Sequence, residues 1–288
     1  MSIGIVDVGG GMRGIYAAGV FDTCIEENIK FDCCVGVSAG SANVIAYLAH
    51  QKGRNYTFYH DYSLRKEYMS MKNLIHTGSY INLNYIFGTL SNHDGEYPLD
   101  YDTYEASSAK MVIVAAEALT GLPKYFTRAD IARDDYRVLM ASSCVPGVDQ
   151  PFEIDGVPYF DGGLVDPCPI QKAFDEGCDR VVLILTKPLN TLKTPGKDPA
   201  LAKMIRKKYP MAAECMYRRT EKYNQSVALA KKYVQQGKVL ILSPDDTLGV
   251  DTLKRDPDNM DALYHKGVED GHAILPWLEG KTQQVIMD

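Results

Sequence analysis

"CVGVSAG", residues 34–40, ends a short apolar run on a serine set between glycines, and "AGSANVIAYLAHQ" then continues with the small and apolar residues of a helix packed on a sheet. In G-x-S-x-G, here Gly36 to Gly40, the serine occupies a sharp strand-to-helix turn, and the glycines keep neighbouring side chains clear of the strand and helix that meet there. The hydroxyl is then presented rather than buried. The same serine could equally be a plain helix N-cap. Five residues alone leave both readings open.

The preceding unit repeats the plan. "IGIVDV" (residues 3–8) reads as a buried strand that stops at three glycines, and "IYAAGVFDTCIEEN" after Gly14 carries apolar residues close to helical spacing. Two consecutive strand–turn–helix units predict a parallel crossover. Further strands are expected in "KMVIVAAEAL" from Lys110, in "DRVVLILT" (179–186) and in "KVLILS" (238–243). "PFEIDGVPYF" (151–160) reads as a hairpin turning at Asp155-Gly156. Helices are expected in "ARDDYRVLMASS" (132–143), in "IQKAFDEG" (170–177), from Ala200 to Gln236 with a break at Pro210, and as one closing helix over 259–280. Residues 52–107, rich in tyrosine and asparagine, predict short helices and loops. The fold class is therefore α/β, a mainly parallel sheet covered on both faces, with a core over 1–195 and a helical and strand extension over 196–288 packed on the same domain.

Composition narrows the function classes. Of the 288 residues 45% are hydrophobic and 24% charged, as in an ordinary globular chain, and the net charge of −6 argues against an extended nucleic-acid surface. "MSIGIVDVGGG" has no basic residue ahead of its apolar stretch and is not expected to act as a secretory leader. Seven cysteines without CxxC spacing suggest neither a disulfide framework nor a zinc site, so a reducing cytoplasm is the expected compartment. Basic and aromatic residues in "KMIRKKYP" (203–210) and "MYRRTEKY" (216–223) would suit transient membrane-surface contact, although a solvated helix face is the more ordinary reading. Oligomeric state is not readable.

"GGGMRG", Gly9 to Gly14, also satisfies G-x-G-x-x-G, the phosphate-binding turn of dinucleotide sites. That reading requires an acidic residue at the end of the next strand, and here the strand ends Val37-Ser38. Glycines at 9, 10 and 11 also suit an oxyanion, because backbone N–H groups can converge on one oxygen at a helix start. A serine nucleophile further needs a base. His265 and His272 come late enough for an α/β-hydrolase order, but no neighbouring motif holds them, and His93 lies in a polar loop. Asp161 follows a predicted strand directly, with Gly162 and Gly163 allowing a tight turn; its plain alternative is an Asx turn. As a base it needs burial to raise its pKa from about 3.9.

"GGGMRG", "GVSAG" and "DGG", in that order, with "ASSCVPG" (141–147) and "DGGLVDPCPIQKAFDEGCDRVVLIL" (161–185), resemble the patatin-like phospholipase family, most closely its bacterial members, from about Ile3 to Thr186. The resemblance implies a three-layer α/β/α fold and hydrolysis of lipid acyl esters by a serine–aspartate dyad, without histidine, metal or cofactor. Ser38 would be the nucleophile, Asp161 its base, Gly9 to Gly11 the oxyanion hole, and Arg13 a residue that steadies the loop or meets an anionic head group. The chain departs from many relatives at Pro167, where they carry asparagine. A noncatalytic lipid-binding relative and a nucleotide-binding protein remain as rival readings.

Overall fold

A computed structural model describes residues 1–281. Strand β1 (Ile3–Asp7) leads through a glycine turn into helix α1 (Gly14–Glu26), and β2 (Cys33–Val37) leads through Ser38 into α2 (Ala39–Leu48). Short helices α3 (Arg54–His60), α4 (Met71–Thr77) and α5 (Tyr101–Ala106) follow, with a π-helical stretch at Asn84–Thr89 between the last two. Then come β3 (Lys110–Glu117), β4 (Pro123–Thr127), α6 (Arg137–Ser143), the hairpin β5 (Phe152–Ile154) and β6 (Val157–Asp161), α7 (Ile170–Asp175) and β7 (Arg180–Ile184). The remainder is α8 (Asp198–Ile205), α9 (Pro210–Gln235), β8 (Val239–Leu242), α10 (Pro257–Gly271) and α11 (Ile274–Leu278). The last seven residues of the expected 196–288 extension lie outside the described residues.

All the strands join one sheet in the order β5-β6-β3-β2-β1-β7-β8, with β4 also paired to β3. The run from β3 to β8 is parallel, while β4, β5 and β6 pair antiparallel. Successive strand residues point to opposite faces, and both faces are dry, which explains why these strands read as unbroken apolar runs. Ile5, Cys34, Ile113 and Val182 pack against α1, α2 and α10 on one face. Val6, Val35, Val112 and Leu183 pack against α7 and α9 on the other. The result is a three-layer α/β/α fold. Among the described residues no helix is long and apolar enough to cross a membrane.

Three local expectations change. The helix expected from 132 begins only at Arg137, because Asp134 adopts φ 61°, in the left-handed region, and Ala132 and Asp135 bridge across the turn. Strand β4 was not anticipated; "PKYFT" is a short edge strand opening on a proline, where no ladder donor is required. The closing helix is two. A Cβ on Gly271 would stand 2.8 Å from that of Thr23, so the chain presses on α1 there, and Pro276 has no N–H with which to continue the α10 ladder.

The sheet register positions the site. Val37, the last residue of β2, pairs with Val114, and Asp161, the last of β6, pairs with the next residue, Ala115. Strand β4 occupies the opposite edge of β3 from Val112 to Ala116. Strands β2 and β6 therefore approach head to head along one edge of β3. Their ends, Ser38 and Asp161, are brought together at the C-terminal side of the parallel sheet, where open α/β folds bind ligands.

Candidate active site

Ser38 is the turn residue between β2 and α2, with φ 56° and ψ −128°, a backbone conformation that a side-chain-bearing residue adopts only under constraint. The constraints are identifiable. A Cβ on Gly36 would stand 2.7 Å from Ser41 Cα, and one on Gly40 would stand 2.8 Å from Asp7 Cγ, so neither glycine has room for a side chain. The Ser38 N–H donates to Ser142 Oγ at 2.9 Å, and that hydroxyl donates to the Val114 carbonyl at 2.7 Å. Ser142 thus ties the turn to β3.

Asp161 is buried, and its Oδ1 accepts the Gly163 N–H at 2.7 Å. Its own N–H donates to the Cys144 carbonyl at 2.7 Å. The segment Ser142–Cys144 therefore holds both candidates, one through a side chain and one through the backbone. Burial pushes the Asp161 pKa above the usual carboxylate value, and the neighbouring Ser38 hydroxyl draws it partly back, as do the Gly163 N–H, Arg219 and Lys193. Gly162 matters through closeness rather than turn freedom, since its Cβ would overlap the Val114 carbonyl.

The third element is the loop after β1. Gly9, Gly10 and Gly11 have φ 65°, 128° and 63°, all in the region that favours glycine. Gly9 donates to Asp7 Oδ1 at 2.8 Å, while its carbonyl accepts from the Thr186 hydroxyl. Among the described residues the N–H groups of Gly10 and Gly11 have no protein acceptor. Both glycines line a cavity with Ser38 and Asp161. Asp7 anchors the loop from below: Asn43 Nδ2 donates to its other oxygen at 2.8 Å, and complete burial raises its pKa to about 6. Arg13 is buried and pairs with Asp251 in the loop after β8, which ties the glycine loop to the C-terminal part of the chain. Gly14 leaves space for Tyr59, whose hydroxyl would lie 2.6 Å from a Cβ there.

Two cavities meet at Ser38. One is walled by apolar side chains such as Met12, Phe58, Met69, Leu83, Phe87 and Leu139. The other holds Asp161, Pro167 and a group of cations. Among the described residues no histidine lines either cavity; His265 faces Asp261, His272 faces Glu27 and His93 faces Asp134, all three at exposed positions.

Ser142 and Asp7 escaped the sequence reading. Asp7 had a local signal, being the one charge inside a buried strand, whereas Ser142 had none beyond its small-residue block. The basic stretch near 216–223 also differs from a simple solvated face, because Arg219 turns inward to Asp198 and Lys222 Nζ donates to the Val165 carbonyl at 3.2 Å.

A family model described as patatin-like phospholipase matches residues 8–174, and one described as a domain of unknown function (DUF6363) matches residues 209–280. An uncharacterized protein of Escherichia coli (strain K12), YjjU, is 29% identical over 198 residues, covering 67% of this chain and 54% of its own length. The chain thus spans about half of that curated relative. Among solved structures, VipD from Legionella pneumophila aligns with a TM-score of 0.49 at 14% identity, over 95% of this chain and 66% of VipD.

Proposed function

The chain belongs to the patatin-like phospholipase family, and we propose that it hydrolyses carboxylic esters of lipids through an acyl-serine formed on Ser38, with Asp161 as the base. In the first step Asp161 accepts the Ser38 proton as the oxygen attacks the ester carbonyl. The oxyanion is stabilised by the N–H groups of Gly10 and Gly11, which line the same cavity and are not taken by a protein acceptor among the described residues. Collapse of this intermediate expels the alcohol, and Asp161 returns the proton to it. Water, deprotonated by the same carboxylate, then attacks the acyl-serine, releasing the fatty acid and restoring the serine hydroxyl. The acyl chain lies in the apolar cavity and the alcohol in the polar one.

The observation that carries this reading is the meeting of the ends of β2 and β6 on β3, which puts Ser38 in one cavity with a buried carboxylate, whose pKa that burial raises. A carboxylate at its ordinary pKa is a poor acceptor for a serine proton, and burial improves it. The test is turnover of an ester panel, from p-nitrophenyl esters to lysophospholipids, by the wild type, Ser38→Ala and Asp161→Asn. Each variant is expected to lose at least about 10³-fold in kcat with its circular dichroism unchanged. A folded Ser38→Ala that keeps wild-type turnover would reject the assignment. Binding of lipid vesicles without turnover of any ester would favour a noncatalytic relative.

A further inference from the structure

The polar cavity is built around cations that hydrolysis of a neutral ester does not need. Arg13, Lys187, Lys193 and Arg219 all line it, the last three supplied by the segment after β7 and by α9. Arg13 is matched by Asp251, and Arg219 Nε lies 2.7 Å from Asp198 Oδ2. Among the described residues Lys187 and Lys193 have no carboxylate within ion-pair distance. Two lysines are therefore left without an ion-pair partner in the chamber that also holds Asp161.

Lys193 is also deliberately held. Its N–H donates to Asn224 Oδ1 and its carbonyl accepts from Asn224 Nδ2, both at 3.0 Å, so one α9 side chain clamps its backbone. Its ammonium stands over the Tyr223 ring, 5.0 Å from the centroid. Burial, then the like charges of Arg219, Lys187 and Arg13, depress its pKa to about 7, with Asp198 opposing. Concentrating cations in a partly desolvated space is unfavourable until an anion enters.

We propose that this chamber binds the phosphate monoester of the substrate's leaving alcohol, so that the preferred ester is a lysophosphatidate-type lipid. The proposal rests on the serine-hydrolase reading above. Gly11, Ser38, Val145 and Thr252 line both cavities, so a single ester at Ser38 reaches apolar walls on its acyl side and cations on its alcohol side. The oxygens of a phosphate monoester can accept from both unpaired lysines, and its negative charge favours their protonated forms. A choline head group cannot: it would meet four cations, and Tyr223, the one aromatic side chain lining the chamber, is already covered by Lys193. The reaction adds one water to the ester and yields a fatty acid and a phosphorylated alcohol.

The test compares kcat/KM of the full chain on short-chain lysophosphatidate, the matching monoacylglycerol and the matching lysophosphatidylcholine, all below their micellar concentrations. Lysophosphatidate is expected to be preferred by about tenfold or more, as charge-assisted hydrogen bonds in a desolvated site allow. The preference should collapse towards unity in Lys187→Gln/Lys193→Gln and survive in Lys193→Arg, with circular dichroism showing all variants folded. Equal kcat/KM on the three esters overturns the proposal. If inorganic phosphate inhibits competitively and no lysophosphatidate preference exists, the chamber serves the free ion and the head-group assignment falls. Failure to turn over any ester, with Ser38 inert to a fluorophosphonate, rejects the hydrolase reading itself; a reactive Ser38 with no preference rejects only the head-group assignment.

Discussion

Asp161 shows how one side chain's surroundings set its chemistry. Buried at the end of β6, it has a pKa above the ordinary carboxylate range. It accepts a proton only when ionised, so activity is lost as pH falls through that raised value. The acid limb of kcat/KM should accordingly lie above the reference value of about 4; a limb at or below it would contradict a buried base. Lys193 acts in the opposite sense. It loses its charge as pH rises through about 7, so the preference for a phosphorylated ester should weaken above neutrality, and Lys193→Arg should hold it to higher pH. Ser38, Asp161 and the three glycines were legible because each sits in a local pattern whose geometry follows from a few neighbours. Ser142 and the clamp of Asn224 on Lys193 were not, since they act on residues more than thirty positions away in sequence or across a linker with no pattern of its own.

At the scale of elements, the site exists because β2 and β6 end against adjacent residues of β3. Gly162 protects that junction. Gly162→Ala would drive a methyl into the Val114 carbonyl and shift Asp161, whereas a Cβ at Gly156, in the hairpin turn, meets nothing within 4 Å but takes up a φ of 82°. Both changes should cost stability, the second by about 1 kcal/mol. Only Gly162→Ala should also remove activity from the folded protein. Measuring turnover against folded fraction separates the two, and an active Gly162→Ala would contradict the head-to-head arrangement. Ser142→Ala strips the acceptor from the buried Ser38 N–H, so it should lower stability by about 1–3 kcal/mol in denaturant melts, with turnover falling as well. The sequence made the parallel strands and the β5–β6 hairpin plain, because continuous apolar runs and Asp155-Gly156 are local signals. It did not reveal β4, whose exposed edge residues carry little apolar pattern, nor the collinear meeting of β2 and β6, which is a property of register.

Across the described molecule, residues 197–281 contribute to the same packing that forms the candidate site. Helix α10 lies directly on α1, where a Cβ on Gly267 would overlap the Tyr16 carbonyl and one on Gly19 would press on Tyr264 and Val268. The Tyr16 hydroxyl donates to Asp270 at 2.6 Å, and Lys266 pairs with the same carboxylate at 2.8 Å. Helix α1 carries the glycine loop at its start, so this crossing bears on the proposed oxyanion donors. Gly267→Val should lower the melting temperature by several degrees and remove activity in proportion to the unfolded fraction. A Gly267→Val protein with wild-type melting would contradict the close crossing. The alternation of strands and helices announced an α/β fold, but nothing local announced that the last helices pack on the first, because that contact joins residues about 250 apart.

The central claim is that Ser38 is a nucleophile activated by Asp161. It is tested most directly by treating the full chain with a fluorophosphonate and locating the adduct by peptide mass spectrometry. A single adduct on Ser38, absent from Ser38→Ala and much slowed in Asp161→Asn, is the predicted result. A folded wild type that takes no label, or one labelled equally well without Asp161, would contradict it.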